Sequence, residues 1–364
     1  MKKNLLFLAA TMLLFIVNCY SQVTMSTGGI SVNISQYGRI RILTPDAKRQ
    51  IERASILVGT SATEVFDYTN DAEPVDAPVL VASPTMSDFE IYGSIDRGTA
   101  TTHPNVLVKY NAYGWTNGAY TIVKFNIKNA ETSAVNALIG LDIIPYINYV
   151  YGFDTITYNS TQGVIRFHRG LTTNAGVKLL SAPLYSLYSF EWYDGYAVDA
   201  DYYTWMTKGT LQPRYVSTTA DGPVTITSQP SAAISPGASV TLFYAIAVGT
   251  NEQTMLNNIA AAQQKFDILT TSMKDNPLSD FGLKNYPNPV NASTTISYQL
   301  PADGNISLKI YNALGIEKDA LVNSNQTRGL HTVNFDAKDL PAGVYTYRLA
   351  FNNQVISNKM LLVK

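Results

Sequence analysis

Thr121-Ile122-Val123-Lys124-Phe125-Asn126-Ile127-Lys128 and Val240-Thr241-Leu242-Phe243-Tyr244-Ala245-Ile246-Ala247-Val248 set the class of fold. In the first, Thr121, Val123, Phe125 and Ile127 share one face of a strand. Ile122, Lys124, Asn126 and Lys128 share the other, the period of two of a half-buried antiparallel strand. The second is apolar on both faces, with Val240, Leu242, Tyr244, Ile246 and Val248 opposite Phe243, Ala245 and Ala247. Such a strand belongs at the centre of a sheet whose two faces are covered. Ser235-Pro236-Gly237 before it is a plain turn.

Further strands are predicted at Ile30 to Ile34, Arg39 to Leu43, Val79 to Ala82, Phe89 to Ser94 and Val106 to Asn111. Others follow at Ala137 to Ile144, Gly163 to His168, Lys178 to Ala182, Ser186 to Trp192 and Val224 to Ser228. Many short strands with Gly, Pro, Asn and Asp between them describe a large antiparallel β-sandwich, of the supersandwich kind. One helix closes it. Thr250 and Gln253 are spaced as a capping box, and Met255, Ile259, Ala262, Phe266 and Leu269 follow at helical spacing. It reads as a packing helix on a sheet.

The ends of the chain give a destination. Lys2 and Lys3 precede an apolar run from Leu5 to Val17, too short to span a bilayer and suited to a signal peptide cut after Ser21. Cys19 offers a lipoprotein alternative, but Asn18 stands where a small residue is wanted. Cys19 is the only cysteine, so a chain cut after Ser21 has no disulfide, thiol nucleophile or cysteine metal ligand.

The C-terminal stretch holds Asn285-Tyr286-Pro287-Asn288-Pro289, Leu308-Lys309-Ile310-Tyr311-Asn312, Leu314-Gly315 and Gly329-Leu330-His331-Thr332-Val333. It ends with Leu340-Pro341-Ala342-Gly343-Val344-Tyr345 and Lys359-Met360-Leu361-Leu362-Val363-Lys364. In this order these motifs resemble the type A C-terminal sorting domain of the type IX (Por) secretion system of Bacteroidetes. The resemblance implies a small seven-stranded β-sandwich. It also implies export through the Sec and type IX machineries, with Pro287, Pro289, Gly315, Gly343, Tyr345, Lys359 and Lys364 in the sorting signal. The stretch from Asp142 to Gly170, strand 238–248 and the terminal helix are similar to other cargo domains of these bacteria, some mutarotase-like. The expected organisation is a signal peptide (1–21), a cargo domain (22–270), a linker (271–283) and the sorting domain (284–364).

Composition narrows the cargo's role. Lys and Arg number 26 against 27 Asp and Glu, and charged residues are 15% of the chain, with no basic stripe for nucleic acid. No stretch after the signal is long and apolar enough for a transmembrane helix. The three histidines, His103, His168 and His331, sit in no zinc or serine-hydrolase motif. No residue is assigned as catalytic.

Aromatics are concentrated instead. Trp115, Trp192 and Trp205, with more than half of the 24 tyrosines, lie between residues 110 and 215. Trp192, Tyr193, Tyr196 and Trp205 form the candidate glycan-binding set, because flat rings with polar tips stack on sugar faces. The alternative is that these rings fill core and rim. Asp194, Asp199 and Asp201 are the candidate ligands of a structural calcium, set against plain acidic turns. Asp142, Asp154 and Glu191 complete the acids from which an enzyme on glycans would draw a pair. Asp154-Thr155-Ile156 resembles a short O-glycosylation motif of exported Bacteroidetes proteins, with Thr155 as acceptor. The expected role is a non-enzymatic exported module, either binding polysaccharide or a surface protein or serving as a structural component of the surface layer. A glycan hydrolase or lyase is the alternative.

Overall fold

A computed structural model describes residues 22–170, 173–192, 198–274, 281–300, 303–313, 315–351 and 354–364. The expected signal peptide, Tyr193, Asp194 and Tyr196 lie outside the described residues. The chain forms two compact units, Met1–Phe266 and Asp267–Lys364.

The first unit is built from antiparallel strands. In chain order they begin with β1 (Gln22–Ser26), β2 (Ser31–Ser35), β3 (Ile40–Leu43), β4 (Arg49–Ser61) and β5 (Glu64–Phe66). Then come β6 (Glu73–Leu80), β7 (Phe89–Asp96), β8 (Val106–Gly114), β9 (Tyr120–Asn129) and β10 (Val135–Pro145). The next four are β11 (Thr155–Asn159), β12 (Val164–His168), β13 (Asn174–Leu179) and β14 (Ser186–Glu191). Helix α1 (Asp199–Met206) precedes β15 (Arg214–Val216), β16 (Pro223–Ser228), β17 (Ala232–Ile234), β18 (Ser239–Gly249) and helix α2 (Glu252–Lys274).

These strands make two nine-stranded sheets. The first runs β1-β2-β3-β4-β10-β16-β14, with β5 on β4 and β17 on β10; the second runs β15-β11-β12-β13-β18-β9-β8-β7-β6. Strand β18 lies between β13 and β9, the covered central place its two apolar faces require. The main core fills the space between the sheets. Ile56, Val58, Ile139, Leu141 and Ile143 of the first sheet meet Val123, Phe125, Tyr244 and Ile246 of the second.

The intervening residues face the other way. Leu57, Leu138, Ile144, Val224 and Ile226 form a second cluster on the outer face of the first sheet, and Tyr202, Trp205 and Met206 of α1 cover it. Helix α2 packs on the second sheet, where Phe266 meets Phe243 edge-on at 5.2 Å. A Cβ at Gly176 of β13 would stand 2.2 Å from the Met255 sulfur, so the close approach of α2 needs glycine there.

Several sequence expectations shift. The cap of α2 is Asn251, whose Oδ1 accepts the Thr254 N–H at 2.9 Å, rather than the Thr250–Gln253 box. The helix continues to Lys274, into the stretch read as linker. Strand β13 ends at Leu179, ahead of the expected Lys178 to Ala182, and β6 ends at Leu80. Strand β4, thirteen residues long, escapes periodicity because both its faces are buried and it carries a bulge opposite Ile144 and Pro145.

The second unit is a small seven-stranded sandwich. It holds β19 (Lys284–Tyr286), β20 (Ser293–Leu300), β21 (Gly304–Tyr311), β22 (Glu317–Gln326), β23 (Gly329–Asp336), β24 (Gly343–Phe351) and β25 (Gln354–Leu362). One sheet is β19-β20-β23 and the other β22-β21-β24-β25. Phe281, Ile296, Tyr298, Leu308, Phe335, Tyr347 and Leu349 form its core. The Asn-Pro motif ties the sheets: Asn288 Oδ1 accepts the Leu361 N–H at 3.0 Å, and Val290 N–H donates to the Leu361 carbonyl at 2.7 Å. Pro287, Pro289, Gly315, Lys359 and Lys364 are exposed; Tyr345 is buried and donates its hydroxyl to the Pro341 carbonyl at 2.9 Å.

Candidate functional site

The aromatic run divides into two neighbourhoods. Trp205 lies on α1, not on a strand, so Tyr202, Trp205 and Met206 share the helix face turned to the sheet. The Trp205 ring stacks on Phe190 at 3.9 Å and is 8% exposed. It is a core ring, and this corrects the expectation that it pairs with Trp192 as a sugar platform.

Trp192 and Tyr151 are half-buried against the same cluster, but they also join a second set of rings. The Trp192 ring meets Tyr151 edge-on at 6.3 Å; Tyr151 lies 4.0 Å from Tyr146, and Tyr146 lies 5.1 Å from Tyr149. The Arg49 guanidinium stands over Tyr146 at 5.4 Å and over Tyr149 at 5.3 Å. A ridge of rings therefore runs from Trp192 to Arg49, and the Tyr149 end is exposed.

The loop carrying these rings is held in an unusual conformation. Asn148, Tyr149 and Phe153 have φ of 57°, 69° and 53°, values that cost a side-chain-bearing residue on the order of 1 kcal/mol or more each. Tyr149 and Phe153 are both exposed, so their own burial does not offset this strain. Surrounding bonds do. Gln50 accepts the Asn148 N–H on its side chain at 3.0 Å and the Tyr146 N–H on its backbone at 3.0 Å. Arg169 donates to the carbonyls of Val150 and Gly152. Phe153 N–H donates to the Thr219 carbonyl at 3.0 Å. A Cβ at Gly152 would stand 2.3 Å from that same carbonyl oxygen, so only glycine fits.

Each acid near the ridge is committed to this scaffold. Buried Asp154 takes the Arg169 Nε–H at 3.1 Å, and burial raises its carboxyl to about 7 against the pull of Arg169. Glu191 accepts from Ser217 Oγ at 2.9 Å, Thr218 N–H at 2.8 Å and Thr219 Oγ1 at 2.7 Å. Burial alone would raise the Glu191 carboxyl, but these bonds outweigh it and lower it. Asp142 is fully buried with Arg53 at 2.7 Å, and burial raises it to about 6.

Asp199 accepts the Val65 N–H at 3.1 Å and fastens the start of α1 to β5. Among the described residues no group of three or more His, Cys, Asp or Glu is placed to hold a metal ion. Thr155 opens β11, pairs with His168 and is part-exposed, while Asp154 beside it is buried.

Sequence reading missed the arginines next to the ridge. Arg39 and Arg41 of β2–β3 and Arg49 of β4 converge on one carboxylate, Glu52. Arg41 Nη2 lies 2.6 Å from Glu52 Oε1, Arg39 Nη1 lies 3.6 Å from it, and Arg49 binds Oε2. Tyr68 lies under both Arg39, at 5.8 Å, and Arg53, at 5.5 Å. Arg41 and Arg49 also form one wall of a 290 Å³ depression on the outer face of β1 to β3. Gln22, Thr24, Ser31, Asn33 and Thr44 add hydroxyls and amides to its lining, and Leu43, Pro45 and Ala47 add apolar surface. The alternation in Ser31-Val32-Asn33-Ile34 was the available signal, because it places Asn33 opposite the core face. Nothing local in the sequence shows that three separated arginines meet.

The fold defines a two-unit antiparallel β-protein, and one comparison adds its destination. The family described as a secretion system C-terminal sorting domain matches residues 284–364. The chain is a type IX secretion cargo, exported to the cell surface or the extracellular space. No curated protein matches it. Among solved structures it is similar to a bacterial glucoamylase complexed with acarbose, at 9% identity and TM-score 0.50. That match covers 70% of this chain and 37% of the glucoamylase, so the chain spans well under half of that protein's length. A putative aldose 1-epimerase from Escherichia coli K12 is 10% identical over 63% of this chain and 99% of its own, with TM-score 0.39. A galactose mutarotase-like protein from Lactobacillus casei is 8% identical over 63% and 100%, with TM-score 0.39. Among the described residues no helix is long and apolar enough to cross a membrane.

Proposed function

We propose that the exported cargo is a non-enzymatic module that binds polysaccharide on the outer face of its first sheet. The observation that carries this reading is the ridge Trp192–Tyr151–Tyr146–Tyr149, ending on Arg49 beside a depression whose mixed lining includes hydroxyls and amides. Rings give flat apolar area for sugar faces, and the polar lining matches sugar hydroxyls. The strained loop that presents Tyr149 and Phe153 fits a surface kept for a ligand rather than for stability.

The acids weigh against the enzyme alternative. A glycosidase needs two carboxyls free to face a sugar. Here Glu191, Asp142 and Asp199 are taken up by backbone, hydroxyl and arginine partners, and Asp154, bonded to Arg169 through one oxygen only, is fully buried. In the second unit, the exposed Pro287, Pro289, Gly315, Lys359 and Lys364 are proposed as the surface the secretion machinery reads, while buried Tyr345 holds the sandwich together. Gly343 opens β24 and belongs to the framework.

The test is fluorescence of the full chain titrated with a panel of polysaccharides, with reducing ends measured in parallel. Trp115 and Trp205 are buried, so Trp192 is the ring placed to report. A saturable change in the wild type that Tyr149→Ala abolishes, without new reducing ends, is expected. New reducing ends would replace this reading with the enzyme, and silence across the panel would reject the face as a glycan site.

A further inference from the structure

The arginine cluster carries more charge than the protein neutralises. Three guanidiniums share the two oxygens of Glu52, which leaves two positive charges in excess. Asp142 is paired with Arg53, and Asp46 is paired with Lys48 at 2.9 Å. The cluster is also half out of water: the side chains of Arg39, Arg41 and Arg49 are 25%, 19% and 22% exposed. Like charges held together in a partly dry site repel strongly. Burial and the neighbouring Arg41 and Arg53 lower the Arg39 guanidinium from its ordinary value, against Tyr68 and Glu52. The Nε atoms of Arg39 and Arg49 are buried and have no hydrogen-bond partner among the described residues.

Excess cations cost stability unless something compensates them. An arginine pair aimed at the depression is suited to a planar or tetrahedral anion, because the guanidinium fork matches both geometries. Tyr146 and Tyr149 flank the same Arg49. Charge recognition and ring stacking therefore meet at one residue, as a sugar bearing an acid requires.

We propose that the glycan taken by this face is anionic: a polysaccharide carrying uronate carboxylates or sulfate esters. Its acidic group sits against Arg41 and Arg49 at the wall of the depression, and the adjoining sugar ring packs on Tyr149. This rests on the glycan-binding reading above and adds the ligand class to it.

Matched polymers separate the two claims. The full chain is titrated with polygalacturonate and its methyl ester, and with dextran sulfate and dextran. The acidic member of at least one pair is expected to bind about tenfold or more tighter than its neutral mate, the scale of one charge-assisted contact. That preference should weaken as salt screens it. Which pair responds identifies carboxylate or sulfate as the group held.

Arg41→Gln and Arg49→Gln should each remove most of the preference, so that the acidic member binds no tighter than its neutral mate to either variant. Should either variant fail to fold, the wild-type contrast and its salt dependence still decide. Equal binding of acidic and neutral members would overturn the anionic inference and leave the glycan reading standing. Binding of none would overturn both. A preference that survives both substitutions would remove it from this cluster.

Discussion

Trp205 and Trp192 lie thirteen residues apart in one aromatic stretch, and the fold treats them oppositely. Trp205 is on a helix and pressed between Phe190 and Tyr202 over the outer face of the first sheet. Trp192 follows β14 and joins a ridge of tyrosines that reaches solvent at Tyr149. Both rings touch one cluster, Trp205 from within it and Trp192 half-buried at its margin. Coverage by α1 separates them: the helix blankets Leu57, Val224 and Ile226, while the part of that face around Arg41, Glu52 and Arg49 is left polar and open.

The contrast is broken most forcefully at Trp205. Trp205→Ala should cost about 3–5 kcal/mol of stability, the loss for a large ring in a packed core. Urea denaturation measures it, and a change near zero would mean that Trp205 is a surface ring after all.

The next effect is smaller and depends on pH. Asp154 underlies the ridge through Arg169, and its folded pKa, about 7, lies above the unfolded value near 3.8. Its contribution is therefore fully present below the unfolded value and is lost as pH rises through about 7. Asp154→Asn should shrink the fall in stability between pH 4 and pH 8 by on the order of 2 kcal/mol. Thermal melts across that range check it; an unchanged slope would place the titration elsewhere. Glu191, with its lowered value, works in the opposite sense: its contribution is present above the unfolded value and is lost as pH falls through the folded one.

At Trp192 stability and binding should part. Trp192→Ala is expected to cost only about 1–2 kcal/mol, because the ring is half-buried. It should abolish polysaccharide binding. A loss as large as that at Trp205 would make the two neighbourhoods alike.

The smallest effect has the opposite sign. Tyr149→Gly should raise stability by about 1 kcal/mol, since glycine adopts its positive φ without strain. The same change should weaken glycan binding by removing the exposed ring. Stabilisation without loss of binding would take Tyr149 out of the site.

Much of this architecture was legible in advance. Strands such as β9 and β18 announce themselves because alternation and double-sided apolarity are local properties of a chain. The seven strands of the sorting unit are equally local, and its motifs are dense enough to identify. Strand β4 was not legible, since a bulged strand buried on both faces has no period. Helix α1 was hidden by its tyrosines and tryptophan, which suit strands as readily as helices.

The candidate site was half visible. Trp192 was identified, but its partners Tyr146, Tyr149 and Tyr151 belong to a loop whose left-handed residues follow no simple pattern. Arg39, Arg41 and Arg49 belong to no motif, so nothing in the sequence marks them as a group.

The chain's own order of residues settles that this is an exported, cysteine-poor antiparallel β-protein with a sorting domain, because periodicity and contiguous motifs need no distant partner. Which aromatics are covered, and where arginines gather, depends on contacts between residues up to about 140 positions apart, such as Arg49 with Tyr149 and Val65 with Asp199. Charge excess and solvent exposure are properties of such assembled neighbourhoods, so they arise only when the sheets and loops have packed.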